Sequence, residues 1–176
     1  MTGSASEQLA ARWFTRLGLP LSPDDVASAR AYLAALGYPS ELPVLAVNDW
    51  HEAERIVRHP DWDTAWWNAE QRERDRLQAD VAGRLGPTRM LECLTAATDL
   101  AADTIHAAAI IAAASAASGV EAMVRTASGA GAMALHEVTL AQLAACGPDH
   151  LFMRKYRLFE SGRWPLGVLR GAFHLF

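Results

Sequence analysis

The sequence has few of the residues that build covalent or metal-held frameworks. Its only two cysteines, Cys93 and Cys146, lie far apart and match no CxxC or Cys/His zinc spacing. Lysine occurs once, at Lys155, and arginine supplies the other 15 of the 16 cationic residues, a bias from which no mechanism follows. We therefore expect no disulfide framework, and we expect both thiols to be reduced and buried in the core of a cytoplasmic protein.

Long apolar runs and positive charge are also missing. The most apolar stretch, residues 107–120, is shorter than the roughly 20 residues that a membrane-spanning helix needs. The start, "MTGSASEQLAARWF", has no basic segment followed by an apolar run, so we expect no secretory signal. The net charge of −4 and the pI near 5.8 argue against nucleic acid and anionic membranes as partners.

No short catalytic or cofactor-binding motif is present. The sequence contains no GxSxG, glycine-rich phosphate loop, HExxH or EF-hand, and "GAGAM" follows no predicted strand. Helical di-iron proteins need two Glu-x-x-His pairs, whereas Asp103-x-x-His106 is one aspartate-bearing approximation. His136 and Glu137 are adjacent, so on a helix they diverge by about 100°. We expect neither a metal site nor a cofactor.

The composition of the 176 residues, 51% hydrophobic and 20% charged, indicates one folded domain. Ser22 and Gly37 bound a strong early helix, and Pro60, Gly86 and Pro87 mark later boundaries. We predict a mainly α, single-domain bundle of about six helices over residues 1–176. Seven segments have helical signals, of which the first and the last are short: Ser6–Leu17 and residues 22–37, 48–59, 61–86, 87–119, 121–145 and 149–159.

The C-terminal residues 163–176 have a different pattern. Short apolar pieces flank Arg170-Gly171, a weak turn signal, and predict a β-hairpin. A two-stranded hairpin is marginal alone, so Phe173, Leu175 and Phe176 must pack on the helices or on another chain. Pro39 and Pro43 predict an extended loop earlier in the chain.

A polar stripe runs along the predicted helix that begins at Pro87. Glu92, Asp99, Asp103 and His106 fall within about 40° of one another at helical spacing. They either face water, as on an ordinary amphipathic helix, or form the polar mouth of a pocket between helices. Asp99, Asp103 and His106 are therefore candidate acid–base residues. The alanines that follow favour close packing against the next helix over a ligand cavity.

Three further polar residues are candidates on other predicted helices. His136 shares a helix face with Arg125, so the pair can bind or polarise a substrate, although a hydrogen-bonded core histidine is the simpler interpretation. Glu73 falls within a stripe defined by Trp62, Trp66, Ala69 and Leu77. A buried carboxylate has a raised pKa unless it is paired, which suits a general acid. Alternatively, Glu73 lies outside the core among neighbouring arginines.

Tryptophan is concentrated in one short region, where Trp66 and Trp67 point about 100° apart on their helix. One of the two is therefore expected to line a pocket or a partner surface.

Two functions from different classes follow from these features. The first is a small-molecule-binding protein, in its catalytic form a cofactor-independent isomerase, lyase or cyclase that acts on a compact organic substrate. The second is a non-catalytic interaction protein, an accessory subunit or immunity-type binder, that uses the tryptophans and the aromatic tail. We also expect a homodimer or a complex with a partner protein.

Overall fold

A computed structural model describes residues 11–116 and 119–176 of the chain. These residues form six helices and three strands and confirm the prediction of a mainly α, single-domain fold with a short C-terminal β element. In chain order the elements are α1 (Pro23–Ala35), β1 (Val44–Ala46), α2 (Trp50–Val57), α3 (Thr64–Leu85), α4 (Pro87–Ala113), α5 (Glu121–Leu143), α6 (Leu151–Glu160), β2 (Pro165–Leu169) and β3 (Ala172–Leu175).

Local capping signals fix where the first helices begin and end. The Ser22 side chain accepts a hydrogen bond from the Asp25 backbone N–H, and the Asp25 carboxylate accepts one from the Ser22 backbone N–H, so the two residues form a capping box at the start of α1. Asp49 and Asp63 are the N-caps of α2 and α3, and the side chain of each accepts one backbone hydrogen bond. Gly86 separates α3 from α4 because its φ of 82° lies in the left-handed region that favours glycine.

The predicted first helix, Ser6–Leu17, is wrong over the part that the structure describes. Residues 6–10 lie outside the described residues, and residues 11–17 form a bend and turns. Phe14 has a φ of 61°, which a right-handed helix does not accommodate. Its ring and that of Trp13 are buried instead, and the Arg16 backbone N–H donates to the Gly162 carbonyl at 3.0 Å.

A buried arginine holds this irregular segment in place. The guanidinium of Arg163 donates to the carbonyl oxygens of Arg16, Leu19 and Pro20 at 2.6–2.7 Å, and to Asp25 Oδ2 at 3.0 Å. Arg163 is fully buried, so these acceptors replace the water that its charge would otherwise need. The segment before α1 is thus tied to the start of the C-terminal hairpin.

The C-terminal hairpin forms as predicted, but it lies inside the molecule. Strands β2 and β3 pair antiparallel across Arg170 and Gly171, whose φ values of 51° and 73° are those of a type I′ turn. Strand β3 also pairs in parallel with β1, which gives the strand order β1-β3-β2. Strand β1 was not predicted; the sequence indicated only an extended loop around Pro39 and Pro43.

Helices of the same chain cover the aromatic tail. Phe173, Leu175 and Phe176 are almost completely buried. The ring of Phe173 lies 5.9 Å from that of Tyr32, and the ring of Phe176 lies 5.3 Å from that of Trp50. Of the two packing partners expected for the tail, helices of the same chain or another chain, the structure shows the first.

Helices α4 and α5 approach each other closely at a glycine. A Cβ added to Gly131 would lie 2.8 Å from Ile105 Cγ2 and 3.4 Å from the rings of Trp13 and Phe14. Ala109 and Ala134 are buried in the same cluster. The small residues of these two helices therefore serve close packing, and aromatic side chains fill the space beside them.

Much of helix α4 remains exposed. It is the one helix among the described residues that is long and apolar enough to cross a membrane, a test that core helices also meet. Only 22% of its most apolar window is buried, and Leu100 and Ile111 are 57% and 74% exposed. The described structure is compatible with a soluble protein.

Candidate functional site: an aromatic pocket above a buried ion network

Helix α3 buries charged residues on the same face as aliphatic ones. Glu70, Arg74, Leu77 and Val81 are buried at spacings of four, three and four residues, and Glu70 is only 1% exposed. The sequence interpretation placed Ala69 and Glu73 on this face. The observed face is shifted by one residue, because it continues from Trp66 to Glu70 and Arg74.

Glu70 and Arg74 belong to a network of four buried charges that joins α3, α5 and α6. Lys155 of α6 places Nζ 2.8 Å from Glu70 Oε1 and 2.9 Å from Oε2. The same nitrogen lies 2.8 Å from Glu137 Oε2 on α5. Arg74 Nη2 donates to the other oxygen, Glu137 Oε1. We call Glu70, Arg74, Glu137 and Lys155 the ion network; it contains two acidic and two basic side chains.

Two aromatic side chains extend the network toward α1. Tyr32 Oη donates to Glu70 Oε1 at 2.5 Å, and Trp66 Nε1 donates to Tyr32 Oη at 2.9 Å. Arg74 Nη1 also donates to Gln71 Oε1. Two atoms lack a hydrogen bond, Arg74 Nε and Glu137 Oε2, although the latter has its ionic contact with Lys155. The network is therefore almost fully satisfied, as burial requires.

Burial and charge act in opposite directions on the network's lysine. Burial alone would lower the pKa of Lys155, but the carboxylates of Glu70 and Glu137 outweigh it and raise that pKa. Burial, together with the charge of Glu70, raises the pKa of Tyr32 well above its usual value. At neutral pH Lys155 is therefore an ammonium and Tyr32 a neutral hydroxyl.

A pocket of about 550 Å³ lies directly above this network. It opens between the first half of α3 and the middle of α5, and Glu70, Arg74 and Lys155 contribute to its lining. Aromatic and apolar side chains make up most of the remaining wall: Val57, Trp62, Trp66, Trp67, Ala130, Met133, Phe159, Trp164, Pro165 and Leu166. This volume and this lining are typical of small-molecule sites.

Three of the pocket's four tryptophans, Trp62, Trp66 and Trp67, form a continuous aromatic surface. The rings of Trp62 and Trp66 are stacked, with centroids 6.2 Å apart and planes 28° apart. Trp67, half exposed at the mouth, lies 6.2 Å from Trp66, and the guanidinium of Arg74 lies 6.0 Å from its ring. Such surfaces favour flat, apolar ligands.

Strand β2 leaves room for these rings because it carries a glycine there. A Cβ added to Gly167 would lie 2.9 Å from Trp62, closer than Cβ atoms normally pack, and a tight 3.0 Å from Trp66. The φ of Gly167 is 124°, a conformation that side-chain-bearing residues rarely adopt. The tryptophan wall thus rests directly on the backbone of the hairpin.

The predicted polar stripe on α4 lies away from this pocket. Glu92, Asp99, Asp103 and His106 are all exposed, and none of them lines the pocket. His106 Nδ1 lies 3.1 Å from Ser128 Oγ on α5. Of the two interpretations of the stripe, the structure has the water-facing one. The catalytic role assigned to Asp99, Asp103 and His106 remains a prediction.

Glu73 is paired and outside the pocket, so the condition for a general acid is not met. Its carboxylate accepts hydrogen bonds from Arg76 Nε at 2.8 Å and pairs with His150 Nε2 at 2.7 Å. The hydrogen bond from Arg76 holds the pKa of Glu73 below its usual value, and the bond with His150 acts in the same direction. The raised pKa expected for an unpaired carboxylate is therefore wrong here.

The four predicted binding residues divide into two groups. Trp66 and Trp67 both line the pocket, where only one of the two was expected. Arg125 is exposed, and His136 is half-buried with a pKa that burial lowers; neither lines the pocket. His136 and Arg125 therefore do not join Trp66 and Trp67 in the lining of this pocket.

Sequence reasoning missed most of the ion network. Lys155, the only lysine, falls on the same helical face as Phe152, Tyr156 and Phe159, which is an indication of a buried cation. Glu137 lies between buried Ala134 and Ala141 in the same way. Charged residues within apolar stripes were thus a usable signal on two further helices.

The two cysteines are free thiols, and both are only partly buried rather than in the core. Burial raises the pKa of the Cys146 thiol. Among the described residues, no group of three or more His, Cys, Asp or Glu side chains is placed to hold a metal ion.

Comparison with protein-family models, with curated proteins and with solved structures finds no match to this chain. Fold and site together define a small, mainly α protein in which a tryptophan-lined pocket opens above a charge-balanced, buried network.

Proposed function

We propose that the pocket binds a compact, flat and largely apolar small molecule. The observation that carries this proposal is the position of four of the six tryptophans, Trp62, Trp66, Trp67 and Trp164, around one space of about 550 Å³. Ordinary core tryptophans fill such a space with each other. Here Trp67 is 52% exposed at its mouth, which favours an occupant from solution.

Binding is supported more directly than catalysis. Both oxygens of Glu70 already accept hydrogen bonds from Tyr32 and Lys155, and Lys155 keeps its proton because its pKa is raised. An isomerase, lyase or cyclase activity, expected from the sequence, would need a general base free to take a proton from the ligand, whereas protein donors already engage both oxygens of Glu70. We therefore propose a binding protein and not an enzyme. The expectations of a cytoplasmic location and of no cofactor are part of this proposal.

A glycine at the mouth allows the pocket to be closed selectively. Gly129 lines the pocket on α5, and a Cβ added there meets no atom within 4 Å. Gly129→Phe should fill the pocket without disturbing the core. Gly83→Phe is the matched control, because Gly83 is helical, lies outside the pocket lining and has equally open surroundings.

The test is equilibrium dialysis of the protein against 2-acetylnaphthalene, a flat apolar probe. The unsubstituted protein and Gly83→Phe should bind the probe with the same affinity, and Gly129→Phe should lose at least about tenfold, which corresponds to about 1.4 kcal/mol. Absence of binding, or equal binding by all three proteins, would refute the pocket as the site.

Self-association through α4 is a second candidate function. Leu100, Thr104, Ala107 and Ile111 recur at spacings of four, three and four residues, and all four are exposed. This is the spacing by which two helices pack along a common seam. A stripe of this kind on one copy complements the same stripe on a second copy related by a two-fold axis.

Sedimentation velocity at high micromolar concentration tests this second candidate. A dimer that Ile111→Glu dissociates and Leu91→Glu leaves intact would support it. Leu91 is a suitable control because it is 62% exposed on the same helix but about 200° away from Ile111. A monomer at all concentrations would reject it.

A further inference from the structure

We infer that the pocket selects an uncharged ligand, and that the ion network is the part of the site that rejects charged ones. This inference rests on the proposed function, since it names the class of molecule that the same pocket takes. It is carried by the pairing of every charged side chain in the pocket lining.

Four charged residues line the pocket: Asp63, Glu70, Arg74 and Lys155. Glu70 and Lys155 are paired with each other, and Arg74 is paired with Glu137 behind the wall. With Glu137 included, the ion network has two negative and two positive groups.

Asp63, the remaining acid of the lining, is occupied in a different way. Its Oδ1 accepts from the Ala65 backbone N–H at 2.8 Å, where it caps α3, and its Oδ2 accepts from Tyr38 Oη at 2.6 Å. The positive end of the helix dipole partly offsets its charge. Each charged group of the lining therefore has a polar partner from the protein.

A charged ligand would disturb this balance. An anion would compete with Glu70 and Glu137 for Lys155, and a cation would compete with Lys155 for the same carboxylates. Either would also add a net charge to a floor that is more than nine-tenths buried, where unpaired charge is costly. An uncharged aromatic ligand avoids both costs and still covers the tryptophans, so the network supplies specificity by rejection.

Three naphthalene probes of nearly equal size test the inference by equilibrium dialysis at pH 7. They are 2-acetylnaphthalene, which is neutral, 2-naphthoate, which is anionic, and 2-naphthylmethylammonium, which is cationic. We expect the neutral probe to bind at least about tenfold more tightly than either ion. Equal binding of all three would overturn the inference and leave the pocket as a binding site, whereas failure of all three to bind would overturn both. Preference for the cation would point to Asp63 and the tryptophans, and preference for the anion to Lys155; either result contradicts the inference.

Substitutions in the network should change the preference in opposite directions. Glu70→Gln leaves one carboxylate against two cations, so the ratio of naphthoate to acetylnaphthalene affinity should rise by about tenfold. Lys155→Gln leaves an excess of negative charge, so the naphthylmethylammonium ratio should rise instead. Glu73→Gln, on the same helix as Glu70 but outside the pocket, makes the same change in net charge as Glu70→Gln and should leave both ratios unchanged.

These ratios are measured on variants whose far-ultraviolet circular dichroism matches that of the unsubstituted protein. A purely structural role for the network would weaken all three probes together, so unchanged ratios in both folded variants would contradict the inference. If either variant does not fold, the ordering of the three probes on the unsubstituted protein decides the question.

Discussion

Lys155 Nζ lies 2.8 Å from Glu137 Oε2, and this contact joins α6 to α5 beneath the pocket. Both side chains are buried, so neither charge can return to water when the other is removed. Removing one partner of such a pair costs more than the pair contributes while it is intact.

Replacing Lys155 with methionine should therefore be severely destabilising. We expect Lys155→Met to lower the free energy of unfolding by about 3–5 kcal/mol, because Glu70 and Glu137 remain as buried, adjacent carboxylates. Urea denaturation followed by circular dichroism measures the change. Arg157→Met, at an exposed position of the same helix, should stay within about 0.5 kcal/mol. A loss below 1 kcal/mol for Lys155→Met would mean that the network relaxes easily.

The network also predicts alkaline instability. Lys155 and Tyr32 have raised pKa values in the folded chain, against ordinary values of 10.5 and 10.0. These two groups therefore keep their protons in the folded state at a pH where the unfolded chain releases them, so their contribution to stability is fully present below about pH 10 and falls as the pH rises above it. The slope should reach at most about 1.4 kcal/mol per pH unit for each group.

Tyr32→Phe separates the two contributions to this slope. The variant should lose about 1–3 kcal/mol at pH 7, because Glu70 loses a hydrogen-bond donor. Above pH 10 its stability should fall less steeply, by the equivalent of one proton. Urea denaturation between pH 8 and pH 11 gives both quantities, and parallel slopes for the two proteins would contradict the assignment to Tyr32.

The helical architecture follows from local signals in the sequence. Ser22, Asp49 and Asp63 are helix-capping residues, and Gly86 lies at a positive φ between two helices. Each of these effects depends on a few neighbouring residues, so periodicity and capping together are sufficient to locate α1 to α6. The turn at Arg170-Gly171 is local in the same sense.

The parts that could not be predicted depend on distant residues. Strand β1 exists because Val44–Ala46 pairs with β3, about 130 residues later in the chain. The turns of residues 11–17 depend on Arg163 and Gly162. The ion network could not be predicted for the same reason. Glu70, Glu137 and Lys155 lie on three helices, and the pattern of one helix does not indicate which other helix its buried face contacts.

The tryptophan wall predicts an asymmetry between two glycines of the hairpin. Gly167→Ala should be strongly destabilising, by roughly 2–4 kcal/mol, because the new Cβ overlaps Trp62 and Trp66 and the φ of 124° is strained for alanine. Gly171→Ala has a φ of 73° but no atom within 4 Å of its Cβ, so it should cost only about 1 kcal/mol. Thermal unfolding monitored by tryptophan fluorescence compares the two. Equal losses would mean that backbone strain, and not contact with the rings, determines the need for Gly167.

The exposed stripe on α4 gives the last prediction, which concerns Asp103 and His106. Both side chains are exposed, and His106 contacts only the hydroxyl of Ser128 among the hydrogen-bond partners described. Surface substitutions of this kind usually change stability by no more than about 0.5 kcal/mol. Asp103→Asn and His106→Ala should therefore unfold like the unsubstituted protein and bind 2-acetylnaphthalene with unchanged affinity. The measurements are urea denaturation and equilibrium dialysis, with Gly129→Phe as the variant that must lose binding in the same assay. Loss of binding in a folded Asp103→Asn or His106→Ala variant would move the functional site from the tryptophan pocket to α4, since the two residues lie outside that pocket and have no other path to its ligand.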